Sequence, residues 1–148
     1  MKAERHLLDD TLVVTLTVSQ YIVRGTLLLR DSTDDSGATG GFPAGTGDEQ
    51  RGLITVALED FNTISPKADS YHVRCGEFGV VPVFNDGSGA ISTGDELVSG
   101  ESFTGTVGPY TTTIYGVKTK GGADDQVIGV AMSGCSNQGE LLYMRRPY

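Results

Sequence analysis

The sequence predicts a mainly β protein, a single compact β-sandwich or β-barrel of short strands carrying an extended N-terminal arm. Three observations point there. Apolar runs of four to eight residues, rich in Val, Ile and Thr, alternate with clusters of Gly, Asp, Asn and Ser. Glycine is abundant, 21 of 148 residues, while Trp is absent, a balance that favours many tight turns between short strands. No segment has the length and 3.6-residue period of a helix, and at most one helical turn is expected, over residues 60–67.

The best-marked run is 51–60, RGLITVALED, with an echo at 126–135, QVIGVAMSGC. Both contain the order Ile-x-Val-Ala-(Leu/Met), and runs this short, bounded by turn residues, read as buried strands. Before the first lie residues 11–18, TLVVTLTV, a half-buried strand with Leu12, Val14, Leu16 and Val18 on one face, and 21–30, YIVRGTLLLR, broken at Gly25 by a bulge or turn. After it, 70–75 places Tyr71, Val73 and Cys75 on one face and His72 and Arg74 on the other. Residues 77–84 continue as strand, with Pro82 at an edge or bulge. Asn85-Asp86-Gly87 is a tight-turn signal. Residues 91–108 read as looser chain with a short strand at 96–98, 111–118 as strand, and 140–146, ELLYMRR, as the closing strand.

Around each echo the same order recurs: a glycine before short β (Gly25, Gly94), a central strand (Ile54, Ile128), and a closing strand ending in basic residues (Arg74, Arg145). The expected organisation is an arm over 1–10 and a β-rich domain over 11–148, either undivided or built of two repeated units, 11–84 and 91–148.

A formal net charge of −8 and a pI near 4.5 give no electrostatic help toward nucleic acid or an anionic membrane. No run approaches the ~20 apolar residues that cross a bilayer, and the charges in 1–10 occupy the place of a signal peptide's apolar core. The expectation is a soluble protein made in a reducing compartment, with Cys75 and Cys135 as free thiols and a disulfide between them as the alternative.

Chemistry is sparsely signalled. His6 lies in the arm and His72 on a strand, so neither has the setting of a catalytic base. Cys135, within Ser-Gly-Cys-Ser-Asn, has no following helix to lower its pKa. Glu59 and Asp60 end a strand, as solvated acids commonly do. The loop 31–50 gathers Asp31, Asp34, Asp35 and Asp48, but counted from Asp31 the sixth and twelfth positions of a helix-loop-helix calcium site hold Ser36 and Phe42 instead of Gly and Glu. No zinc spacing, phosphate loop or nucleophile elbow is present. The expectation is a protein without enzymatic activity, catalytic residues, metal or cofactor.

Gly25-Thr26-Leu27-Leu28-Leu29 followed by a Gly/Asp loop, then Arg51 to Asp60, then Tyr71-His72-Val73-Arg74 with Gly76-Glu77, resembles the small capsid decoration (cement) proteins of tailed bacteriophages. The half containing Gly94 to Leu97, Tyr115 to Lys118, Ile128 to Ala131 and Glu140 to Arg146 is similar to related small phage structural proteins. The resemblance touches about half of the chain. This sequence departs from it in a longer central strand and in Gly-Thr-Leu where the family has Gly-Thr-Pro. It implies a non-enzymatic protein assembled in the host cytoplasm that binds the outside of an assembled capsid. Its partner would be the major capsid protein, and its form a homotrimer. The arm would touch the shell, through Lys2, Arg5, His6, Leu7 and Leu8. The competing expectation is a carbohydrate- or cell-surface-binding β module using Phe42, Tyr110 and Tyr115. A hydrolase of unknown type, with Cys135 and the strand-end acids, ranks third.

Overall fold

A computed structural model describes residues 11–17, 21–30, 40–43, 53–61, 70–76 and 79–146. These residues hold ten strands: β1 (Thr11–Thr17), β2 (Leu27–Arg30), β3 (Gly40–Gly41), β4 (Ile54–Ala57), β5 (Ser70–Gly76), β6 (Gly79–Phe84), β7 (Glu96–Val107), β8 (Tyr110–Thr119), β9 (Gly129–Ala131) and β10 (Leu141–Arg146). They form two five-stranded antiparallel sheets, ordered β1-β5-β4-β2-β3 and β6-β10-β9-β7-β8, and no described residue is in an α-helix. The expected all-β architecture of two packed sheets is therefore present.

The second order is the first with every strand advanced by five, and the registers agree residue by residue. Thr11 stands opposite Gly76 in β1/β5, and Val80 opposite Arg145 in β6/β10, a shift of 69 on both strands. Val56 opposite Gly76 is matched by Val130 opposite Arg145. Leu27 opposite Val56 is matched by Glu96 opposite Val130. Outside the strands, the bridge Ile22/Phe61 has its counterpart in Ile91/Cys135. The bond from Gly25 N to Ala57 O, 2.8 Å, is repeated from Gly94 N to Ala131 O, also 2.8 Å. Gly25 and Gly94 take φ of +100° and +94°, the left-handed turn only glycine enters without strain. β6, grouped by the sequence with the first unit, stands in the second sheet as the counterpart of β1. Residues 62–69, where a helical turn was expected, lie outside the described residues, as does most of the loop 31–50.

The cores follow the same plan. Ile22, Leu28, Ala57, Val73 and Cys75 cluster on one side of the first sheet, with Phe42 and Phe61 packed against them. Their register counterparts Ile91, Leu97, Ala131, Leu142 and Met144 lie in the larger core, together with Val81, Val83, Val117 and Ile128. The opposite face of the first sheet, Leu27, Ile54 and Val56, completes that larger core. All four residues of β4 are thus buried, two toward each cluster. A strand covered on both faces reads as an unbroken apolar run, which is why 51–60 stood out.

Two strand assignments differ from expectation. Residues 91–108 contain the longest strand, β7, which pairs with β8 through Val107/Tyr110 with a register shift between Ser99 and Ser102. Its Gly-, Ser- and Thr-rich sequence carries little β propensity, and hairpin pairing with the Thr-rich β8 supplies what propensity lacks. The echo run is strand only over Gly129–Ala131, because Ile128 N bonds Leu97 O while the chain from Met132 turns away toward the Ile91/Cys135 bridge. Pro82 lies in β6, an edge strand, where its missing N–H leaves no ladder bond unmade.

Candidate functional site

Two buried charged side chains tie the fold together, one between the sheets and one within the second. Arg146, only 3% exposed, ends β10. Its Nε donates to Ile128 O at 3.0 Å and its Nη1 donates to Ile54 O. The two echo residues identified in the sequence are thus joined by one guanidinium, first sheet to second. Asp86, just after β6, is buried too. Its carboxylate accepts from Ser88 N (2.7 Å), Ser88 Oγ (2.9 Å) and Glu101 N (2.7 Å), which ties the turn after β6 to the irregular point of β7. A side chain at Gly100 would fall 2.4 Å from Asp86 Oδ2, so the carboxylate fills the space that glycine leaves.

The candidates for chemistry are occupied structurally. Glu59 Oε1 accepts from Arg74 N at 3.0 Å and Asp60 Oδ1 from Arg24 N at 2.7 Å, so both strand-end acids cap backbone of the first sheet. Cys75 and Cys135 are both free thiols, the first buried and the second partly so. Burial pushes the Cys135 thiol above its ordinary range, a hydrogen bond with Asn85 opposes this and Glu140 adds to it, so the nucleophilic thiolate is disfavoured. Among the described residues no three His, Cys, Asp or Glu side chains are placed to hold a metal ion. Asp31, Asp34, Asp35 and Asp48 lie outside those residues, as do Lys2, Arg5, His6, Leu7 and Leu8 of the arm. Among the described residues no helix is long and apolar enough to cross a membrane. An open hollow of about 120 Å³ lined by Ser88, Gly89, Ala90, Lys118 and Thr119 is well below the ~300 Å³ at which small-molecule sites begin.

The aromatic residues expected to line a sugar-binding groove fall into separate pairs. Phe42 stacks on Tyr115, centroids 5.1 Å apart, and Tyr110 on Tyr21 at 4.4 Å. Tyr110 and Tyr115 stand an odd number of residues apart on β8 and so point to opposite faces. Both pairs join β8 to the first sheet, supported by Tyr115 N donating to Thr26 Oγ1 (2.8 Å) and Thr112 Oγ1 donating to Tyr21 O (2.6 Å).

What the second sheet leaves in solvent is an apolar face. β10 alternates strictly, with Leu142, Met144 and Arg146 inside and Leu141, Tyr143 and Arg145 outside. Across it, Pro82 flanks Tyr143 on β6, and Met132, whose N donates to Tyr143 O at 2.7 Å, flanks it on the other side. In the next row Arg145 lies between Val80 and Val130. Val80 (56%), Tyr143 (51%), Leu141 (49%) and Met132 (44%) are all strongly exposed. The corresponding registers of the first sheet hold Thr15/His72, Val13/Arg74 and Thr11/Gly76 in place of Phe84/Leu141, Pro82/Tyr143 and Val80/Arg145. The difference between the sheets on this side lies in the β6/β10 pair, where Leu141 and Tyr143 replace His72 and Arg74. The sequence signal was the alternation in 140–146, but hydropathy alone assigns Tyr143 to the core and Arg146 to solvent, the reverse of what is found. No family model, curated protein or solved structure matches the chain.

Proposed function

We propose that this protein is a structural one without enzymatic activity, a decoration or cement protein that binds the outer surface of an assembled phage capsid and stabilises it. The observation that carries the reading is the exposed apolar face of the second sheet. Exposed apolar surface gathered on one face of a sheet supports the reading of a protein that works by docking. The sequence resemblance contributes the identity of the partner, the major capsid protein, and the homotrimeric form. It also contributes the role of the arm, with Lys2, Arg5, His6, Leu7 and Leu8 meeting the shell immediately before β1 begins at Thr11. Many weak, repeated contacts on a lattice give avidity that no single contact needs to supply, and the net charge of −8 keeps an abundant surface protein soluble.

The test is co-sedimentation of the purified protein with expanded phage shells, for the full chain and for a chain lacking residues 1–10. The expected result is saturable binding by the full chain and loss of most of it in the shortened one, with the circular dichroism spectrum unchanged. A full chain that stays in the supernatant at every concentration would overturn the reading.

A further inference from the structure

We infer that the outer face of the second sheet is a two-fold contact between copies of this chain, with the β9 strand direction as its axis. The inference rests on the docking reading above: the arm is left to hold the shell, and this face is assigned to a copy in a neighbouring trimer. In the second sheet one row runs Val80, Arg145, Val130, Glu96, strand by strand across β6, β10, β9 and β7. Arg145 and Glu96 are both exposed, and they stand two strands apart, roughly 10 Å, with Val130 between them. Among the described residues Arg145 has no ion-pair partner.

A rotation of 180° about a line along β9 exchanges the two sides of this row. Val130 then meets Val130 of the second copy and Met132 meets Met132. Arg145 lies over Glu96 and Glu96 over Arg145, so two ion pairs close around an apolar centre. The same operation carries Tyr143 to the β7 side of the neighbouring row, where Gly94 bonds Ala131 O. Gly94 has no side chain, and nothing lies within 4 Å of where one would begin, so the largest exposed ring meets the emptiest position. A two-fold axis across the strands would instead set Arg145 on Arg145. The face is therefore self-complementary in charge and in shape about the β9 direction and not about the direction across the strands.

The duplicated topology shows that this kind of face is built to be covered. The matching row of the first sheet is Gly76, Val56, Leu27. All three are buried, and Val56 and Leu27 pack into the larger core between the sheets. In the second sheet those positions have become Arg145, Val130 and Glu96, charged at both ends, as suits a contact formed after folding rather than during it. Three or four strands of face fall short of the ~800 Å² per partner of a standard interface, so the pair is weak and forms at high concentration or where copies are held side by side.

Sedimentation velocity of the full chain without shells, from about ten micromolar to about one millimolar, tests the contact across the range expected for a small interface. The expected result is a reversible doubling in mass of the species present at low concentration, weakened by salt. Arg145→Glu is expected to weaken association more than tenfold, Glu96→Arg likewise, and the double exchange E96R/R145E to restore it. Both side chains are exposed, and a melting temperature within a few degrees of the parent confirms folding; V130K, at the axis, gives the same readout should either reversal fail that check. A mass that does not rise with concentration, or a doubling indifferent to R145E, would overturn the two-fold contact. Shell binding by a parent chain that shows no self-association would leave the decoration reading standing while this contact fell, and R145E-sensitive self-association in a chain that never binds shells would do the reverse.

Discussion

Arg146 and Asp86 illustrate how a buried charge is tolerated when every neighbour is a hydrogen-bonding group. The guanidinium of Arg146 satisfies carbonyls in both sheets, and removing it orphans the Ile54 and Ile128 carbonyls and opens a void. Arg146→Ala is expected to cost about 3 kcal/mol in urea unfolding, with Arg146→Lys recovering only part because an ammonium lacks the fork that reaches both oxygens. A shift under half a kcal/mol would show the clamp to be dispensable. Asp125 offers a second residue-level test. Its carboxyl is held below its ordinary value of 3.8 by N–H groups donated from Gly122 and Gly121, with Lys118 and Lys120 adding to the effect and desolvation opposing it. A depressed carboxyl favours the folded turn above the ordinary value and loses that contribution as the pH falls through the folded one. An NMR titration is expected to place Asp125 below an unstructured Asp, with the Gly121 and Gly122 amide shifts moving at the same midpoint. A midpoint at or above the unstructured value would refute the capping role.

Strand elements carry the repeat, and a matched pair of substitutions reads it. Gly25 and Gly94 occupy the same turn in the two sheets with nearly the same φ. Alanine at either position adopts a left-handed conformation at a cost of roughly 1 kcal/mol. A methyl at Gly94 meets open space, whereas at Gly25 it lies 3.0 Å from Phe84 Cε2 and 3.2 Å from Leu141 Cδ2. Gly94→Ala is therefore expected to lose about 1 kcal/mol and Gly25→Ala about 2 to 3, as overpacking adds to strain. Equal losses would show that the ring and the leucine simply move aside. Much of this architecture was legible in the sequence. Ile54 stood out because its strand is covered on both faces, Ile128 because its run stays apolar even where Val130 and Met132 face outward, and the glycines before β2 and β7 marked the same turn. β7 was not legible, since Ser102, Thr104 and Thr106 are exposed and Gly105 packs under Ile114, so no apolar alternation marks it. The docking face was hidden for a different reason: alternation in 141–146 defines two faces, and only the position of the first sheet decides which is inside.

At the scale of the whole molecule, the two sheets do not share the core equally. The second sheet's interior is completed by Leu27, Ile54 and Val56 of the first, while the first keeps its own cluster behind them. The second unit alone would expose that interior, so the molecule is expected to unfold in one step, with equal calorimetric and van't Hoff enthalpies. A separate chain of residues 79–148 is expected to be unfolded or aggregated, recovering strand structure only when mixed with residues 1–78. A folded, monomeric 79–148 would refute the dependence. The thiols supply an independent view of the same transition. Cys75, fully buried, is expected to resist alkylation until global unfolding, while Cys135 reacts slowly in the native protein.

The place of β10 in the second sheet also has a consequence for biosynthesis. It lies between β6 and β9 yet is translated after both, and it ends on the residue that joins the Ile54 and Ile128 carbonyls. While the ribosome is still extending the chain, β6 has no strand to pair with, β9 is paired on its β7 side alone, and the first sheet's face has no closed surface to rest on. The nascent protein must wait with its largest core unsealed until residue 146 clears the exit tunnel. An early stop codon in this gene would therefore yield no shortened but working product, only a chain for the cell's proteases.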